Sequence, residues 1–493
     1  MFTDKFGYLK KFLPFLVLGV LIYFPLFYHL DSLSVRLWDE GRRSVNAYEM
    51  MNNDRPIVNL YHGAPDLWNT KPPMITWLQA LSMKVFGVNE LALRLPSALA
   101  GLFTAVVILL FSIYYFNDFW FGFIAVLVLV TSQGYITTHG TRTGDIDALL
   151  TFFLTAGVLT FFRYVESDRR KFLYAFFVFL SLGVLTKGIA GLFFTPALVL
   201  YALYRKKFLP LLKNIHFYAG LLVFFIIAGG FYLLRERAVP GYLEAVWHNE
   251  LGGRYLSTLE GNEGGFLYYY HLLVKSQFTY YIFLIPLGLI AGLINRELKW
   301  KRFTVFLIML ILQFFLLISF SKTKLRWYDV PLFPFLAMMA GVFIWWVFKH
   351  ADVIRWKEKE LRIKWFPYMV LALLFFFPYK NIIWLNDGKE KKPWNESFFY
   401  VTYYLRDASR GLHDLNNCYF LYHGTNPQNE FYMNIMKDNG IRIEEISLED
   451  IRDGYRVITS QEEMQKLLNE RYNTEIDSVD KNVIIYTVLG KKI

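Results

Sequence analysis

The sequence predicts a mainly α-helical polytopic membrane protein with a C-terminal α/β domain outside the cytoplasm. Three observations predict it. Hydrophobic residues make up 55% of the 493 residues and gather in long blocks, each of about 18–22 residues, the length that crosses roughly 30 Å of hydrocarbon. Lys and Arg concentrate in alternate connections between those blocks. After residue 384 the texture turns polar, with short strand-like runs.

The composition excludes other classes. Aromatic residues reach 19% and mean hydropathy is +0.31, which rules out disorder and collagen-like repeats. The single cysteine, Cys418, rules out an intrachain disulfide and a cysteine-based metal site. A net charge of +11 would point to nucleic acid in a soluble protein. In a membrane protein it is assigned to loops on the cytoplasmic side, and no nucleic-acid partner is expected.

The first apolar block, Phe12 to Leu30, follows Lys5, Lys10 and Lys11. No small-residue cleavage site follows it, so it reads as a retained span. Further blocks lie near 95–116, 119–137, 147–162, 172–186, 189–204, 216–234, 272–294, 303–320, 328–348 and 365–383. With short blocks counted as paired or broken helices, the expectation is about 11–13 transmembrane helices. If the N-terminus is cytoplasmic, the cytoplasmic segments carry 21 Lys and Arg in 57 residues, against 15 in 119 on the other side. That is the direction the positive-inside rule requires. Strand-like runs follow at Cys418–Tyr422, Ile441–Ile446, Tyr455–Thr459 and Val483–Val488. A helix is expected over Gln461–Tyr472, with Ser460 as N-cap and Glu463 three residues on. The division is therefore a membrane domain, 1–384, with its first outer loop at 31–94, and a soluble outer α/β domain, 385–493.

Five segments bring charged residues to the outer face. Loop 31–94 holds Trp38-Asp39-Glu40-Gly41-Arg42-Arg43 and Asn69-Thr70-Lys71-Pro72-Pro73. Segment 138–146 and its next residue hold Arg142-Thr143-Gly144-Asp145-Ile146-Asp147. Thr186-Lys187-Gly188 joins two blocks. Loop 235–271 holds His248, Glu250, Arg254 and His271, and loop 321–331 holds Lys322, Lys324, Arg326 and Tyr328. Taken singly, each has a plain role: Asp145 and Asp147 suit a helix N-terminus, and Lys187 and Lys324 suit snorkelling. Together they describe a site for an anionic lipid head group, because charge near the membrane is costly unless paired or functional.

The order Asp39-Glu40, Arg43, Pro56, Gly63, Lys71-Pro72-Pro73, Trp77, Phe86-Gly87, Arg94-Leu95-Pro96 resembles the first outer loop of GT-C-fold membrane glycosyltransferases. The similarity is to the protein mannosyltransferase and aminoarabinose (lipid A) transferase group. Thr186-Lys187-Gly188 and Lys324…Tyr328…Pro331…Pro334 are similar to later motifs of that group. The resemblance covers about residues 30–345. It implies a GT-C-like fold and an enzyme that moves a sugar from a polyprenyl-phosphate carrier, such as undecaprenyl phosphate, to a lipid A-like lipid, a glycan or a protein. It also implies Asp39 as catalytic carboxylate and Lys71 as the contact to the donor phosphate. Trp68 stands where the group carries an aromatic. The aminoarabinose transferases carry a Glu directly before the lysine, in a metal site with a later histidine; here Thr70 stands there.

The chemistry agrees. A departing sugar phosphate needs cations aimed at the developing charge; Lys71, Lys187, Lys324, Arg142 and Arg326 are available. Attack by a hydroxyl needs a carboxylate to accept its proton: Asp39, with neighbouring Glu40, or else Asp145 or Asp147. Arg43, four residues after Asp39, can keep it ionised, and Tyr328 completes the donor-side set. No resident cofactor is expected; a divalent ion at Asp145 and Asp147 is possible chemistry but not the expectation. A multi-span transporter or flippase is the alternative. Against it stand the missing inverted repeat and the gathering of charge at one face rather than the midplane. With no eukaryotic retention signal, the expected location is a bacterial inner membrane, with the site facing the periplasm. Cysteines introduced in the 30s loop or in 385–493 should react with impermeant reagents from outside the cell, and cysteines at 205–213 should not; outside labelling of 205–213 would invert the topology.

Overall fold

The computed structural model describes residues 2–137, 139–252, 261–351, 353–356 and 359–492, with no description of the side chains of 2–11, 251–252, 353–356 and 359–362. Arg254 lies outside the described residues. Seven of the described helices are long and apolar enough to span a membrane: Glu90–Phe116, Asp147–Ser167, Arg170–Leu192, Ile215–Ala238, Leu298–Phe320, Val330–His350 and Phe366–Leu385. Four shorter apolar helices, Phe12–Phe27, Phe119–Val130, Thr195–Tyr204 and Leu284–Ile294, fill the remaining blocks. The chain is thus a multi-pass membrane protein with a helix in every apolar block of the sequence.

Burial sorts the helices. In the most apolar windows of Asp147–Ser167 and Val330–His350, 83% and 78% of residues are buried, against 17% in Ile215–Ala238 and 22% in Phe366–Leu385. The first two are central; the last two turn apolar side chains outward, as lipid-facing helices must. Two blocks break where the sequence provides for it. At Lys187 the helix ends on Gly188, whose φ of +57° suits glycine, and a 3-10 turn, Gly188–Leu192, leads into Thr195–Tyr204. Near 278–283 the block 272–294 turns before Leu284–Ile294, which carries Pro286 in its first turn, where proline is tolerated.

The first outer loop folds as two helices, Asp39–Asn52 and Met74–Phe86, joined by a two-residue-strand hairpin pairing Leu60–Tyr61 with Ala64–Pro65. The Trp77 indole donates to the Pro56 carbonyl at 2.5 Å, so two of the loop's motif positions hold each other. The strongest tie is deeper. Arg94, 2% exposed, donates to both carboxylate oxygens of Glu40 at 2.7 and 3.0 Å, and to the carbonyls of Leu30, Leu33 and Ser34. Glu40 also accepts from the Gly144 and Arg36 amides, each at 2.8 Å. Glu40, expected beside Asp39 in the catalytic set, has both oxygens taken up in joining the exit of the first span, the Asp39 helix, the Arg94 helix and the turn at 144.

The C-terminal region has a five-stranded sheet in the order Ile443–Ile446, Cys418–Leu421, Arg456–Thr459, Val483–Lys491, Tyr472–Asp480. The first three strands are parallel and the last two antiparallel. The four expected strand regions are present. The fifth, Tyr472–Asp480, escapes sequence reading because it is an edge strand with mostly exposed, polar residues and no apolar alternation. The expected helix is Glu462–Arg471. Its N-cap is Gln461 rather than Ser460: the Gln461 amide bonds the His423 backbone at 2.7 and 2.9 Å, and the helix starts after it.

This region packs on the first outer loop. A Cβ at Gly41 would lie 2.8 Å from the Gln428 amide nitrogen, so glycine lets the helix Pro427–Asp438 approach the Asp39 helix. The buried Tyr432 hydroxyl accepts from the Val35 amide at 3.0 Å and donates to Glu90 at 2.8 Å. Breaking a buried ion pair by removing one partner costs about 3–5 kcal/mol. Arg94→Ala should therefore lower unfolding stability in detergent by that order, read as a fall in Tm with reduced yield of folded protein; an unchanged Tm would contradict the role given to this pair.

Candidate active site

The site is built at one end of the spans. Asp39 opens its helix, preceded by Trp38 at φ +67°, a conformation that a bulky residue adopts only under constraint. The Asp39 carboxylate is partly exposed and lies 3.7 Å from the Arg43 guanidinium, one helical turn on. Arg43 also donates to buried Asp145. Asp145 accepts in addition from Thr143 Oγ1 at 2.7 Å and sits 3.1 Å from His139 Nδ1. His139 Nδ1 is 3.9 Å from Asp39, and its ring stacks on Trp327 at 3.6 Å between centroids, 12° from parallel. Two carboxylates, one guanidinium and one imidazole thus share one cluster.

Its electrostatics follow. Burial works against the charge on Asp39, but Arg43, with His139 and Lys71, outweighs burial and the repulsion of Asp145, and the carboxyl is held below its usual range. Asp145 is lowered likewise, with His139 and Arg43 overcoming its burial. His139 is raised: burial disfavours its charge, and Asp145 and Asp39 more than restore it. At neutral pH, Asp39 is an ionised carboxylate with an open side.

A second cluster lines a cavity of about 70 Å³. Lys71, on the rigid Thr70–Pro73 turn, donates to Glu250 Oε1 at 2.7 Å, and Thr70 Oγ1 donates to the same oxygen at 3.0 Å. Lys187, at the break of its helix, pairs with Asp147 at 2.5 Å and lies 5.3 Å from the centre of the Tyr328 ring. Ile189, Phe193, Phe314 and Ile318 supply the apolar side. A second cavity of about 250 Å³ shares Lys71, Ile189 and Glu250 and runs on past Leu192, Tyr232 and Val246.

Of the residues expected at the site, Asp39, Arg43 and Asp145 fall in the first cluster, and Lys71, Asp147, Lys187 and Tyr328 line the cavity. The others go elsewhere. Arg142 donates to the carbonyls of Pro25, Tyr28 and His29 at the end of the first span. Lys324 does the same for Ile318, Ser319 and Ser321 at the end of Leu298–Phe320. Helix C-termini have unsatisfied carbonyls and negative partial charge, so both cations serve as caps there. Arg326 is exposed, and only its carbonyl is engaged in a described hydrogen bond, from Gln277. Trp68 is half-exposed, 5.4 Å from the Arg42 guanidinium, and does not line either cavity. His248 is exposed. Two members were missed. His139 stands beside the Arg142–Asp147 motif, yet a lone His before a Gly carries no site signal. Glu250 was noted only as an outer-loop acid. In space it brings to Thr70 and Lys71 the carboxylate that the resemblance led us to expect at position 70.

Comparison with known proteins fits this geometry. Residues 70–231 match the family model for dolichyl-phosphate-mannose-protein mannosyltransferase. An uncharacterized protein of Aquifex aeolicus is 27% identical over 385 residues, 75% of this chain and 74% of that protein. The undecaprenyl phosphate-alpha-4-amino-4-deoxy-L-arabinose arabinosyl transferase of Aeromonas hydrophila is 24% identical over 377 residues, 72% of this chain and 65% of its own length. The crystal structure of ArnT from Cupriavidus metallidurans bound to undecaprenyl phosphate superposes with a TM-score of 0.71 at 16% identity, covering 97% of this chain and 98% of that one. The GT-C fold expected from the loop motifs is thereby established across the chain.

Asp39, His139 and Asp145 each offer a ligand atom within 4.8 Å of the others, the one such group among the described residues. Their surroundings do not fit a divalent ion. Arg43 already reaches both carboxylates, and Asp145 spends its oxygens on Arg43, Thr143 and His139. An incoming dication would face a guanidinium and displace bonds that a buried aspartate needs. Calorimetric titration with Mn²⁺ or Mg²⁺ should therefore show no saturable binding; binding that Asp145→Asn abolishes would overturn this.

Proposed function

We propose that this GT-C-fold membrane glycosyltransferase moves a sugar from a polyprenyl-phosphate carrier to an acceptor on a lipid, glycan or protein, with Lys71 holding the donor phosphate and Asp39 serving the acceptor. The observation that carries this reading is the cavity wall: two lysines, each beside a carboxylate, share one hollow with a mostly apolar lining. A phosphate on an aliphatic tail is the ligand with that pattern. The lipid carrier named for the Aeromonas relative and present in the Cupriavidus structure supports it.

In this mechanism the acceptor oxygen attacks the anomeric carbon of the bound sugar. The new C–O bond forms as the bond from that carbon to the phosphate oxygen breaks, and the electron pair leaves with the phosphate. Lys71 and Lys187 stabilise the charge that develops there. The acceptor's proton passes to Asp39, which Arg43 keeps ionised beforehand. If the acceptor is itself a phosphate, no proton moves and Asp39 orients it. Asp145 and His139 hold Arg43 and Asp39 in place. Residues 385–493 act as a separate outer domain that buttresses the Asp39 helix where Gln428 meets Gly41, and the segments beside it where Tyr432 links Val35 to Glu90. The enzyme sits in a bacterial inner membrane with this site on the periplasmic side.

Asp39→Asn keeps size and helix-starting geometry but loses basicity. It should leave Tm and insertion unchanged while cutting transfer from polyprenyl-phosphate sugar in detergent by roughly a hundred-fold or more, the lower range for losing general-base help. Transfer near the wild-type rate would remove Asp39 from the chemistry and direct attention to Asp147.

A further inference from the structure

We propose that Glu250 is a specificity-determining residue: its carboxylate occupies the seat of the carrier phosphate at Lys71 and disfavours the spent carrier, a phosphate monoester, relative to the donor, a phosphodiester. This rests on the reading of Lys71 as the phosphate-holding residue.

The geometry is that of an anion already seated. One oxygen, Glu250 Oε1, takes both the Lys71 ammonium at 2.7 Å and the Thr70 hydroxyl at 3.0 Å. Both partners of the ion pair are largely buried, with side chains 12% and 13% exposed. Thr70 is itself held, its carbonyl accepting from the Tyr242 hydroxyl at 2.7 Å. Glu250 lies on a π-helical turn, Trp247–Gly252, 179 residues on from Lys71. The π-helix is a local distortion common at functional sites. Lys71 has three N–H donors and Thr70 one hydroxyl; a phosphate oxygen that takes the Thr70 hydroxyl and a Lys71 N–H displaces Glu250 Oε1 from the first and leaves the carboxylate beside the phosphate.

Charge then decides which phosphate is retained. The cavity wall carries Lys71 and Lys187 against Glu250 and Asp147, a balanced set. A phosphodiester adds one negative charge. A phosphate monoester, with its second ionisation near pH 6, adds about 1.5–2 at neutral pH. In a partly buried site the excess is opposed by the displaced but nearby Glu250 carboxylate. The donor is thereby admitted and the spent carrier released, although both have the same tail. No bond is made or broken in this exchange.

The test compares inhibition by undecaprenyl phosphate and by its methyl ester, a monoanionic mimic of the donor linkage, with inorganic phosphate as a tail-free probe. Wild-type enzyme should prefer the methyl ester. Glu250→Gln keeps the size and a hydrogen bond to Thr70 but removes the charge. It should narrow the preference by about ten-fold, since a local like charge is worth that order, and act on Ki and KM rather than kcat. Inorganic phosphate should inhibit Glu250→Gln more strongly than wild type. A structural role for Glu250 would alter both lipid inhibitors equally. An unchanged preference in Glu250→Gln, while Lys71→Ala weakens both inhibitors, overturns the role of Glu250 alone. Unchanged inhibition in Lys71→Ala overturns the placement of the phosphate itself.

Discussion

The arrangement depends on one buried ion pair, Glu40 with Arg94. A buried pair adds little net stability compared with apolar residues of the same size, because desolvation offsets attraction. What it supplies is uniqueness of geometry. Arg94 uses its fork on Glu40 and on three carbonyls at the exit of the first span, and Glu40 uses both oxygens on Arg94, Gly144 and Arg36. The segment 30–40, the Arg94 helix and the turn at 144, distant in sequence, are fixed by one set of hydrogen bonds. Asp39, the next residue along from Glu40, is thereby set opposite the segment that contributes His139 and Asp145. Glu40 is thus enclosed by its partners, while the adjacent Asp39 carboxylate keeps a partly exposed side.

A second constraint is charge balance near the membrane. Lys71 with Glu250, Lys187 with Asp147, and Arg43 with Asp39 and Asp145 each place a cation within ion-pair distance of a carboxylate. Desolvated single charges are costly there, and pairing lowers that cost while leaving lysines that an incoming anion can engage by exchange. Arg142 and Lys324, whose described hydrogen bonds go to carbonyls rather than to carboxylates, solve the same problem differently. They neutralise the carbonyl ends of two spans. Helix-end chemistry accounts for their place, so they do not count against the greater Lys and Arg density expected on the cytoplasmic side.

The C-terminal region shows how a peripheral unit is coupled to a site it does not line. Gly41 allows the helix Pro427–Asp438 to approach backbone to backbone, and Tyr432 links Val35 to Glu90. Arg410 and Glu90 add a half-exposed pair, whose net worth is small. The coupling therefore rests on close packing and buried hydrogen bonds rather than on surface charge. It acts on the same helix that the Glu40–Arg94 pair holds from the other side.

The sequence by itself determined the membrane character, the succession of apolar blocks, and the polar segments between them that hold the candidate site residues. Block length, the apolar content of a span and the order of motifs are local or additive properties, so they survive without coordinates. It also marked Asp39, Lys71 and Lys187. The tertiary structure alone decided which cations face a cavity and which cap helix ends, because Lys187 and Lys324 look alike in sequence and differ only in what surrounds the ammonium group. It decided that Glu40 is scaffold, since its partner Arg94 lies 54 residues away. His139 and Glu250 joined the site for the same reason: Asp39 meets His139 across the first spans, and Lys71 meets Glu250 across 179 residues. A polar residue's role is set by the partners that folding brings within about 3 Å of it, and for these residues no local pattern encodes those partners.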